Sequence, residues 1–326
     1  MARKRLHVGT DCSGTDAPLY ALKRTKGYQK KKFAIVHEWI CDTSPNARKF
    51  IFMNQKPKRF YEDILSRKHS ALAPVSVYFN GFPCQPWSSL GRKLGWRDQR
   101  MNVYRAMVKT LATGKVKCFV LENVPRMVTH NGGKTWRKVL NDLTKAGFRC
   151  SWDIYDAQHF GVPQIRRRVY IVGFKENLGV TPTMPVQPML ERPLLSDFLD
   201  DDTGTPADLP DPSSQAGKVL RFFSRHLKKA DMETNAWAVD IDSSPKFAGA
   251  MCEICPTLTY SRSAGFWITS KKRRMNAAEQ FRCQGFPTED IVALSSRRAM
   301  GSLAGNAMCV PVLTYILDSL LAQLGF

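Results

Sequence analysis

The chain has 326 residues, of which 43% are hydrophobic and 24% are charged, so it resembles a globular protein of about two domains. No run reaches the roughly 18 consecutive apolar residues that a membrane span requires, and the basic start leads directly into a β-type run, so we expect a soluble, intracellular protein without a secretory signal. The formal net charge of +21 favours a polyanionic partner, although a solvated lysine surface would give the same balance.

The nine cysteines are scattered and odd in number, which indicates free thiols in a reducing compartment and not a disulfide framework. Cys252 and Cys255 form a lone Cys-x-x-Cys pair, whereas a structural zinc site needs four ligands. We therefore expect packed thiols there and no metal.

Between residues 5 and 174, short apolar β-type runs alternate with helical patterns. The predicted strands are Leu6–Thr10, Phe33–His37, Val75–Asn80, Cys118–Glu122, Ser151–Tyr155 and Val169–Phe174. The predicted helices are Ala17–Thr25, Pro45–Met53, Asn102–Thr113 and Trp136–Lys145. Such alternation is typical of a mostly parallel sheet with helices on both faces, whose ligands bind at the carboxyl ends of the strands.

The composition changes after Phe174. Residues 179–215 are rich in proline and aspartate, which indicates a different, loop-rich module. A helix capped by Asn276 and Glu279 follows, and the apolar segment Pro311–Leu324 predicts a final helix that returns to the first domain. We therefore expect one domain at 1–176 plus 300–326 and a smaller one at 177–299.

Cys84 follows the predicted strand Val75–Asn80 in a loop that is flanked by Pro83 and Pro86. A cysteine at the carboxyl end of a strand is well placed for nucleophilic attack, and nearby arginines such as Arg92 would favour its thiolate. A buried, inert cysteine is the alternative for this residue taken alone.

Further segments complete a pattern that resembles the cytosine-C5 DNA methyltransferase family over nearly the whole chain, from about residue 5 to 324. The matching segments, in family order, are Pro83-Cys84-Gln85, Leu121-Glu122-Asn123-Val124, Gln164-Ile165-Arg166-Arg167-Arg168, Glu279 with Arg282–Pro287, and Gly305–Val312. Each tripeptide alone is weak, but five segments in the family order and at family spacings are specific.

The resemblance implies a Rossmann-like, S-adenosylmethionine-dependent methyltransferase domain with a mixed, mostly parallel sheet, and a smaller target-recognition domain. It further implies that the Cys84 thiolate adds to C6 of a flipped-out cytosine and that Glu122 holds and protonates N3. Arg166 and Arg168 resemble the pair that orients the base and Glu122. Gln85 and Asn123, from the same segments, complete the expected catalytic set.

The resemblance also implies a site for S-adenosylmethionine. The loop after the first strand departs from the family pattern, because Cys12 replaces an aromatic residue and Asp16 and Ala17 replace a glycine pair. Glu38 is expected to accept from the ribose hydroxyls and Trp39 to lie against the adenine. The full set of expected cofactor residues is Asp11, Cys12, Ser13, Gly14, Thr15, Asp16, Glu38, Trp39, Asp63, Ile64, Asn306 and Met308.

The expected partner is double-stranded DNA, bound by a monomer without a membrane or a metal. Arg221–Arg225 and Lys271–Arg274 are the candidate phosphate contacts. The expected compartment is the nucleus in a eukaryote and the cytoplasm or nucleoid in a prokaryote or virus. Two alternatives stay open: a tRNA cytosine-C5 methyltransferase, and a catalytically impaired homologue that binds or regulates DNA.

Overall fold

The computed structural model describes residues 3–83, 96, 98–205 and 208–326, which divide into two compact units. Unit 1 contains the chain up to Tyr155 together with Arg167–Gln187 and Val312–Phe326, and unit 2 contains Asp156–Arg166 and Pro188–Pro311. Unit 1 therefore ends later, and resumes later, than the predicted domain boundaries at residues 176 and 300. The assignment of a catalytic and a recognition role to these parts stays a prediction.

Among the described residues, unit 1 contains a seven-stranded sheet. Its strands are β1 (Lys4–Asp11), β2 (Phe33–Cys41), β3 (Phe60–Tyr61), β4 (Val75–Asn80), β5 (Val116–Asn123), β6 (Phe148–Asp156) and β7 (Arg167–Lys175). Their order is β3-β2-β1-β4-β5-β7-β6, with parallel pairs from β3 to β5 and an antiparallel β5–β7 pair. The predicted α/β class with a mixed, mostly parallel sheet is confirmed.

In the described part of the chain, helices alternate with the strands of unit 1 and recur in unit 2. They are α1 (Ala17–Arg24), α2 (Lys26–Gln29), α3 (Pro45–Asn54), α4 (Met101–Ala112), α5 (Arg126–Thr129), α6 (Lys134–Lys145), α7 (Gln215–His226), α8 (Lys229–Thr234), α9 (Ala277–Cys283), α10 (Arg297–Asn306) and α11 (Val310–Gln323). Local chemistry explains the boundaries. The Ser44 hydroxyl accepts a hydrogen bond from Ala47 N and Pro45 opens α3, while Gly147, with φ of +85°, follows α6.

Packing against the sheet stabilises the helices of unit 1. Helix α6 buries Trp136, Val139 and Leu143 at helical spacing, and these side chains join a core cluster that includes Phe119 and Phe148 of the sheet. Within the same unit, the Thr314 hydroxyl of α11 donates to the carbonyl of Ala21 in α1. The terminal helix, with buried apolar side chains such as Leu313 and Leu317, thus lies beside α1 in unit 1.

Unit 2 contains a small antiparallel sheet of two- and three-residue strands. They are β8 (Trp237–Val239), β9 (Ala250–Cys252), β10 (Trp267–Ile268) and β11 (Arg273–Arg274), in the order β11-β10-β8-β9. Helix α9 begins as predicted, because Asn276 and Glu279 cap each other's backbone N–H groups.

The segment Arg297–Gln323, which holds α10 and α11, is long and apolar enough to cross a membrane by length and composition alone. However, 72% of its most apolar window is buried inside the protein, as in a helix that forms part of a core.

Candidate active site at the carboxyl ends of the strands

The loop that leads to the predicted nucleophile begins where β4 ends, at Asn80. Cys84 and Gln85 themselves lie outside the described residues. The start of the loop is fixed by Asn123, at the end of β5, whose Nδ2 donates to the carbonyl oxygen of Phe82 at 3.0 Å. Asn123 is 2% exposed, so this hydrogen bond is shielded from water. The predicted catalytic residue Asn123 therefore anchors the backbone two residues before Cys84.

Glu122 lies next to that loop. Strands β4 and β5 are parallel neighbours with Asn80 opposite Leu121, so the carboxyl end of β4 is about 4.8 Å, one strand spacing, from the backbone before Glu122. On β7, the Nε atom of Arg168 is 3.0 Å from Glu122 Oε1, and both side chains are less than one-sixth exposed. Because Glu122 faces Tyr170 across the antiparallel pair, Arg168 lies on the same face, two residues away. The structure brings Glu122 and Arg168 together as predicted.

Arg166 has different partners, which corrects the expectation that it accompanies Arg168. It lies in unit 2, is 3% exposed, and donates to the carbonyls of Leu258 at 2.8 Å, Gly305 at 3.2 Å and Ala307 at 2.7 Å. Two of these carbonyls flank Asn306. Arg166 therefore positions the segment that presents the exposed Asn306, instead of facing a base through its own guanidinium.

At the end of β1, the Asp11 side chain belongs to a buried network. Its carboxylate accepts two hydrogen bonds from the Arg67 guanidinium and one from the Tyr78 hydroxyl at 2.6 Å. Burial raises the pKa of the Asp11 carboxyl, although the Arg67 charge opposes this shift. The expected cofactor contact of Asp11 is thus replaced by a role in holding β1 against its neighbours.

The loop that follows β1 has the conformation of a ligand cradle. Cys12, Gly14 and Asp16 all have positive φ values between 52° and 56°, which is a strained conformation for the two residues that carry a Cβ. A side chain at Gly14 would project into open space, and the Thr15 hydroxyl is buried without a hydrogen-bond partner among the described residues. The loop is fastened through Ser13, whose hydroxyl donates to Thr10 Oγ1 at 2.9 Å. These features fit a cofactor that lies against the backbone at Gly14.

Asp16, which stands where the family pattern has glycine, is fully buried at the start of α1. Among the groups that favour its charged form are His37, whose Nδ1 lies 3.8 Å from Asp16 Oδ2, and the Thr10 hydroxyl. Burial raises the pKa of the Asp16 carboxyl, with His37 opposing. Asp16 therefore faces the protein interior and not the open side of the loop.

The predicted ribose and adenine contacts, Glu38 and Trp39, lie elsewhere. The Glu38 carboxylate pairs with His7 Nδ1 at 2.6 Å and Lys58 Nζ at 2.9 Å, and Trp39 is 1% exposed in the core, packed against Gly9. Strand β2 continues to Cys41, four residues beyond its predicted end at His37. Both residues consequently lie within the strand and not at its carboxyl end, which corrects the prediction.

Sequence reasoning missed Asp42, the first residue after β2. Its Oδ2 accepts a hydrogen bond from Gly14 N at 2.8 Å, and its Oδ1 accepts one from Ser44 N at 2.8 Å. Burial raises the pKa of the Asp42 carboxyl, while the two N–H donors favour its charged form. The signal was present in the sequence, because Asp42 lies two residues before the helix start Ser44-Pro45, where the strand has to end.

Asp63 and Ile64 lie shortly after β3, which ends at Tyr61. Asp63 is partly exposed and its Oδ1 accepts from Leu65 N, whereas Ile64 is 3% exposed in the core cluster. In unit 2, Asn306 is exposed at the end of α10, and Met308 is 8% exposed just after it. Of these four, Asp63 and Asn306 have side chains that a ligand could reach without rearrangement.

Two arginines of one basic segment proposed for DNA contact, Lys271–Arg274, pair with carboxylates inside unit 2. Arg273 is 7% exposed and pairs with Glu279 and Asp202, and Arg274 pairs with Asp242 at 2.6 Å. These ion pairs correct the expectation for Arg273 and Arg274. Arg221 and Arg225 on α7 are exposed and stay candidates for phosphate contact.

The same ion pairs explain an acidic cluster in unit 2. Oxygen atoms of Asp200, Asp202 and Glu279 lie within 4.8 Å of one another, a spacing that could hold a metal ion. Arg273 contacts two of these carboxylates and Arg282 contacts Asp200 at 2.5 Å. The two guanidinium groups thus offset two of the three carboxylate charges.

Comparisons with known proteins show what the chain is similar to. The family model described as C-5 cytosine-specific DNA methylase matches residues 20–322. The type II methyltransferase M.NgoBI of Neisseria gonorrhoeae is 29% identical over 286 residues, which cover 87% of this chain and 85% of that protein. The type II methyltransferase M.HaeII of Haemophilus aegyptius is 28% identical over 273 residues, 81% of this chain and 80% of that protein.

Solved structures share the fold at low sequence identity. The Dnmt2 methyltransferase of S. pombe matches with a TM-score of 0.69 at 18% identity, covering 99% of this chain and 100% of that chain. The Entamoeba histolytica methyltransferase EhMeth matches with a TM-score of 0.69 at 15% identity, covering 99% of both chains.

Proposed function

The chain belongs to the C-5 cytosine-specific DNA methylase family and is an enzyme of the DNA (cytosine-5-)-methyltransferase class, and from this premise we propose its mechanism. It transfers a methyl group from S-adenosylmethionine to C5 of a flipped-out cytosine in DNA, through a covalent bond to Cys84. The observation that carries this proposal is the Glu122–Arg168 pair, which lies one strand away from the loop that leads to Cys84.

The chemistry needs a thiolate and a proton donor on the same ring. Carbon 5 of cytosine is a poor nucleophile, and addition of the Cys84 thiolate to C6 makes it enamine-like. Glu122 binds N3 and delivers the proton that neutralises the ring as the S–C6 bond forms. Arg168 holds the Glu122 carboxyl group in place. S-adenosylmethionine, when bound, supplies the electrophilic methyl group, and removal of the C5 proton then expels Cys84 and restores the aromatic ring.

The other cysteines support the choice of Cys84. Burial raises the pKa of several thiols, among them Cys150, whose pKa rises to about 12. At pH 8 a thiol with that pKa is about one part in ten thousand thiolate, which is too little for an efficient nucleophile. Cys283 and Cys309 are buried in the described part of the chain. These thiols are therefore poor candidates, which supports the assignment of the nucleophile to Cys84 by family resemblance.

The cofactor residues follow from the cradle at the end of β1. We assign the backbone of Cys12–Thr15 to the methionine part of the cofactor, and Asp42 at the end of β2 to the ribose hydroxyls. Asp63, which follows β3, is the candidate for the adenine amino group. Asn306 in unit 2 stays a proposed contact by family resemblance.

A mechanism-based trap tests the nucleophile. A DNA duplex with 5-fluorocytosine at the target position should form a stable adduct, because fluorine cannot leave C5 as a cation and Cys84 therefore stays attached. Peptide mass spectrometry should find the adduct on Cys84, and Cys84→Ala should lose turnover while it keeps its affinity for DNA. Cys252→Ala is the matched control. An adduct on another residue, or full turnover by Cys84→Ala, contradicts the mechanism.

The same assay separates the two alternatives. Methyl transfer to duplex DNA and to tRNA is measured side by side, and activity on tRNA alone would replace DNA as the substrate. A catalytically impaired homologue would bind DNA but form no 5-fluorocytosine adduct, and calorimetry would detect no heat on addition of S-adenosylmethionine.

A further inference from the structure

A buried polar network in unit 1 joins the strand that leads to the cofactor cradle with the strand that leads to the proposed nucleophile. We call it the Tyr78 network; its members are Asp11, Arg67, Tyr78 and Asn80. The Tyr78 hydroxyl donates to Asp11 Oδ2 at 2.6 Å and accepts from Asn80 Nδ2 at 2.7 Å. The Arg67 guanidinium donates to both oxygens of Asp11. Asp11 ends β1 and Asn80 ends β4, so one hydroxyl group connects the ends of the two strands.

The strand register brings these side chains together. Strands β1 and β4 are parallel neighbours, with Gly9 opposite Tyr78 and Asp11 opposite Asn80. Residues two apart along a strand point to the same face of a sheet, so Asp11, Tyr78 and Asn80 share one face. A Cβ atom at Gly9 would lie 2.4 Å from the ring of Trp39, which occupies that space instead. The Trp39 ring centre is 5.5 Å from that of Tyr78, and this packing holds the phenol in place.

The cation of the Tyr78 network is held from several sides. The Arg67 guanidinium lies 4.8 Å from the ring centre of Trp39 and 5.5 Å from that of Tyr61. Its Nη2 atom also donates to Thr110 Oγ1 at 3.0 Å. Because Arg67 is fixed by these contacts, its two hydrogen bonds fix the Asp11 carboxylate and with it the end of β1.

Stability alone does not account for the Tyr78 network. Tyr78 and Asn80 are 0% exposed and Asp11 is 1% exposed, so a phenol, an amide and a carboxylate are removed from water. Apolar side chains of similar volume often stabilise a protein as well as a buried ion pair does, or better. Asn80 Oδ1 has no hydrogen-bond partner among the described residues, which adds to the cost. Hydrogen bonds, however, fix distances and angles between strand ends, and exceptions to an apolar core occur mainly at functional sites.

Each end of the Tyr78 network leads into a segment of the proposed active site. After Asp11 the chain enters the cradle Cys12–Thr15, which we assign to the cofactor. After Asn80 it reaches Phe82, whose carbonyl accepts from Asn123 Nδ2 at 3.0 Å. The backbone that leads to the proposed nucleophile is thus held at two points, to β1 through Asn80 and to β5 through Asn123.

We propose that Tyr78 is a positioning residue that couples the cofactor cradle to the loop leading to Cys84, without contacting the substrate or the cofactor itself. This inference rests on the function proposed above. A cofactor in the cradle restrains the end of β1, and the two hydrogen bonds of Tyr78 pass this restraint to Asn80 at the start of the loop. Each ligand then binds more tightly when the other is present, and the coupling is equal in both directions.

Duplex binding with and without S-adenosylhomocysteine measures this coupling. The probe is a labelled duplex of a sequence that the wild type methylates, as shown by bisulfite sequencing. In the wild type, S-adenosylhomocysteine should tighten duplex binding about fivefold or more, as is usual for coupled sites. Tyr78→Phe keeps the ring but removes both hydrogen bonds, so this factor should fall below about twofold. A wild type without coupling would overturn the proposal.

Tyr104→Phe is the matched control. Tyr104 is 2% exposed and its hydroxyl donates to Asp142 Oδ2 at 3.1 Å, so this variant also loses a buried phenol–carboxylate hydrogen bond in unit 1. Its ring, which packs against Phe82, is retained. We expect a coupling factor at the wild-type value. A merely structural role of Tyr78 would lower the Tm of both variants and leave both coupling factors unchanged, and that result would overturn the proposal.

Asn80→Leu tests the path from Tyr78 to the loop. Leucine keeps the approximate size of the side chain but cannot donate to the Tyr78 hydroxyl, so the coupling should fall as it does in Tyr78→Phe. The double variant should lose no more coupling than either single variant, because both remove the same hydrogen bond. Losses that add would show that the two residues act separately, which contradicts the Tyr78 network.

The same measurements separate this inference from the proposed function. If the wild type methylates no DNA, the proposed function fails and the coupling role fails with it. If the wild type methylates DNA and Tyr78→Phe keeps the full coupling factor, the positioning role alone is refuted.

Discussion

Arg166 and Arg168 are two residues apart in the sequence, yet they have different hydrogen-bond partners and therefore different roles. Arg168 on β7 pairs with one carboxylate, Glu122, and keeps 15% of its side chain exposed. Arg166 is 3% exposed and supplies three backbone carbonyls with donors. The first arrangement suits a residue that acts in a reaction, and the second suits a residue that holds a fold together.

Alanine variants of the two arginines should therefore fail in different ways. Arg168→Ala should lower kcat by about a hundredfold, the effect of one lost charge-assisted contact at a reacting group, with little change in urea stability. Arg166→Ala should lower the free energy of unfolding by about 3 kcal/mol, because three buried carbonyls lose their donor. Steady-state kinetics and urea titration measure both effects. A stable but inactive Arg166→Ala would contradict the structural role of Arg166, and a normal kcat for Arg168→Ala would contradict the catalytic role of Arg168.

Which of these arginines faces Glu122 could not be predicted from the sequence, because both match the same family segment and only the strand register separates them. The same limit explains Glu38 and Asp42. Both are acids near the end of a strand, and the choice depends on whether β2 ends at His37 or at Cys41. Glu122, Asn123 and the cradle around Gly14 were predictable, because their segments have fixed positions relative to strand ends.

Asp16 combines a positive φ with a buried carboxyl group whose pKa is raised. The folded protein thus holds this proton more tightly than the unfolded chain, so Asp16 costs stability increasingly as the pH rises above the ordinary value of 3.8. Asp16→Asn keeps the shape, tolerates positive φ and removes the charge. It should be more stable than the wild type at pH 8, and this gain should shrink as the pH falls toward 4.

Urea titrations of Asp16→Asn and wild type at pH 8, 6 and 5 measure that gain. Asp63→Asn, which makes the same change at a partly exposed carboxyl group, is the control. If Asp16→Asn is the less stable protein at pH 8, the contact with His37 outweighs the cost of burial.

At the scale of elements, helix α10 shows how closely unit 2 is packed. A Cβ atom at Gly301 would lie 1.9 Å from the carbonyl oxygen of Ser263, and one at Gly305 would lie 2.3 Å from the backbone of Thr259. Both contacts are with backbone, which cannot rotate away as a flexible side chain can. The glycines therefore permit the helix to lie directly against the segment 259–263.

Gly301→Ala should consequently destabilise the protein by about 2 kcal/mol, because overpacking costs more than the roughly 1 kcal/mol that alanine gains in a helix. Gly249→Ala is the matched control, since nothing lies within 4 Å of its Cβ position. Thermal unfolding followed by circular dichroism should show a lower Tm for Gly301→Ala alone. Equal Tm values for the two variants would mean that α10 can shift at no cost.

The long elements of unit 1 were predictable and the short ones of unit 2 were not. Strands such as β4 and β7 have at least six residues and buried, apolar sequences, so their pattern is clear. The strands β8 to β11 have two or three residues, too few for any periodicity. These short strands form because distant segments pair, such as Trp267 with Val239. The local sequence does not predict such pairing.

At the scale of the whole molecule, the net charge is +21, but the basic side chains differ in whether they are exposed or already paired with carboxylates. Arg273 and Arg274 form ion pairs within unit 2, and Arg67 forms an ion pair with Asp11 in unit 1. Arg221 and Arg225 on α7 are exposed. The total charge predicted a polyanionic partner, but only the ion pairs show which arginines keep their charge available for phosphates.

The salt dependence of DNA binding tests that distinction. Each phosphate contact contributes about 0.9 to the slope of log K against log salt, so Arg221→Ala with Arg225→Ala should reduce the slope by about 1.8 if both contact the backbone. Arg274→Ala should leave the slope unchanged, because its guanidinium already pairs with Asp242. Fluorescence anisotropy with a labelled duplex between 50 and 200 mM salt measures all three slopes. Arg274→Ala could instead lower the slope as much per residue as the α7 variant. In that case internal ion pairs do not decide which arginines bind DNA, and exposure is no reason to assign DNA contact to α7.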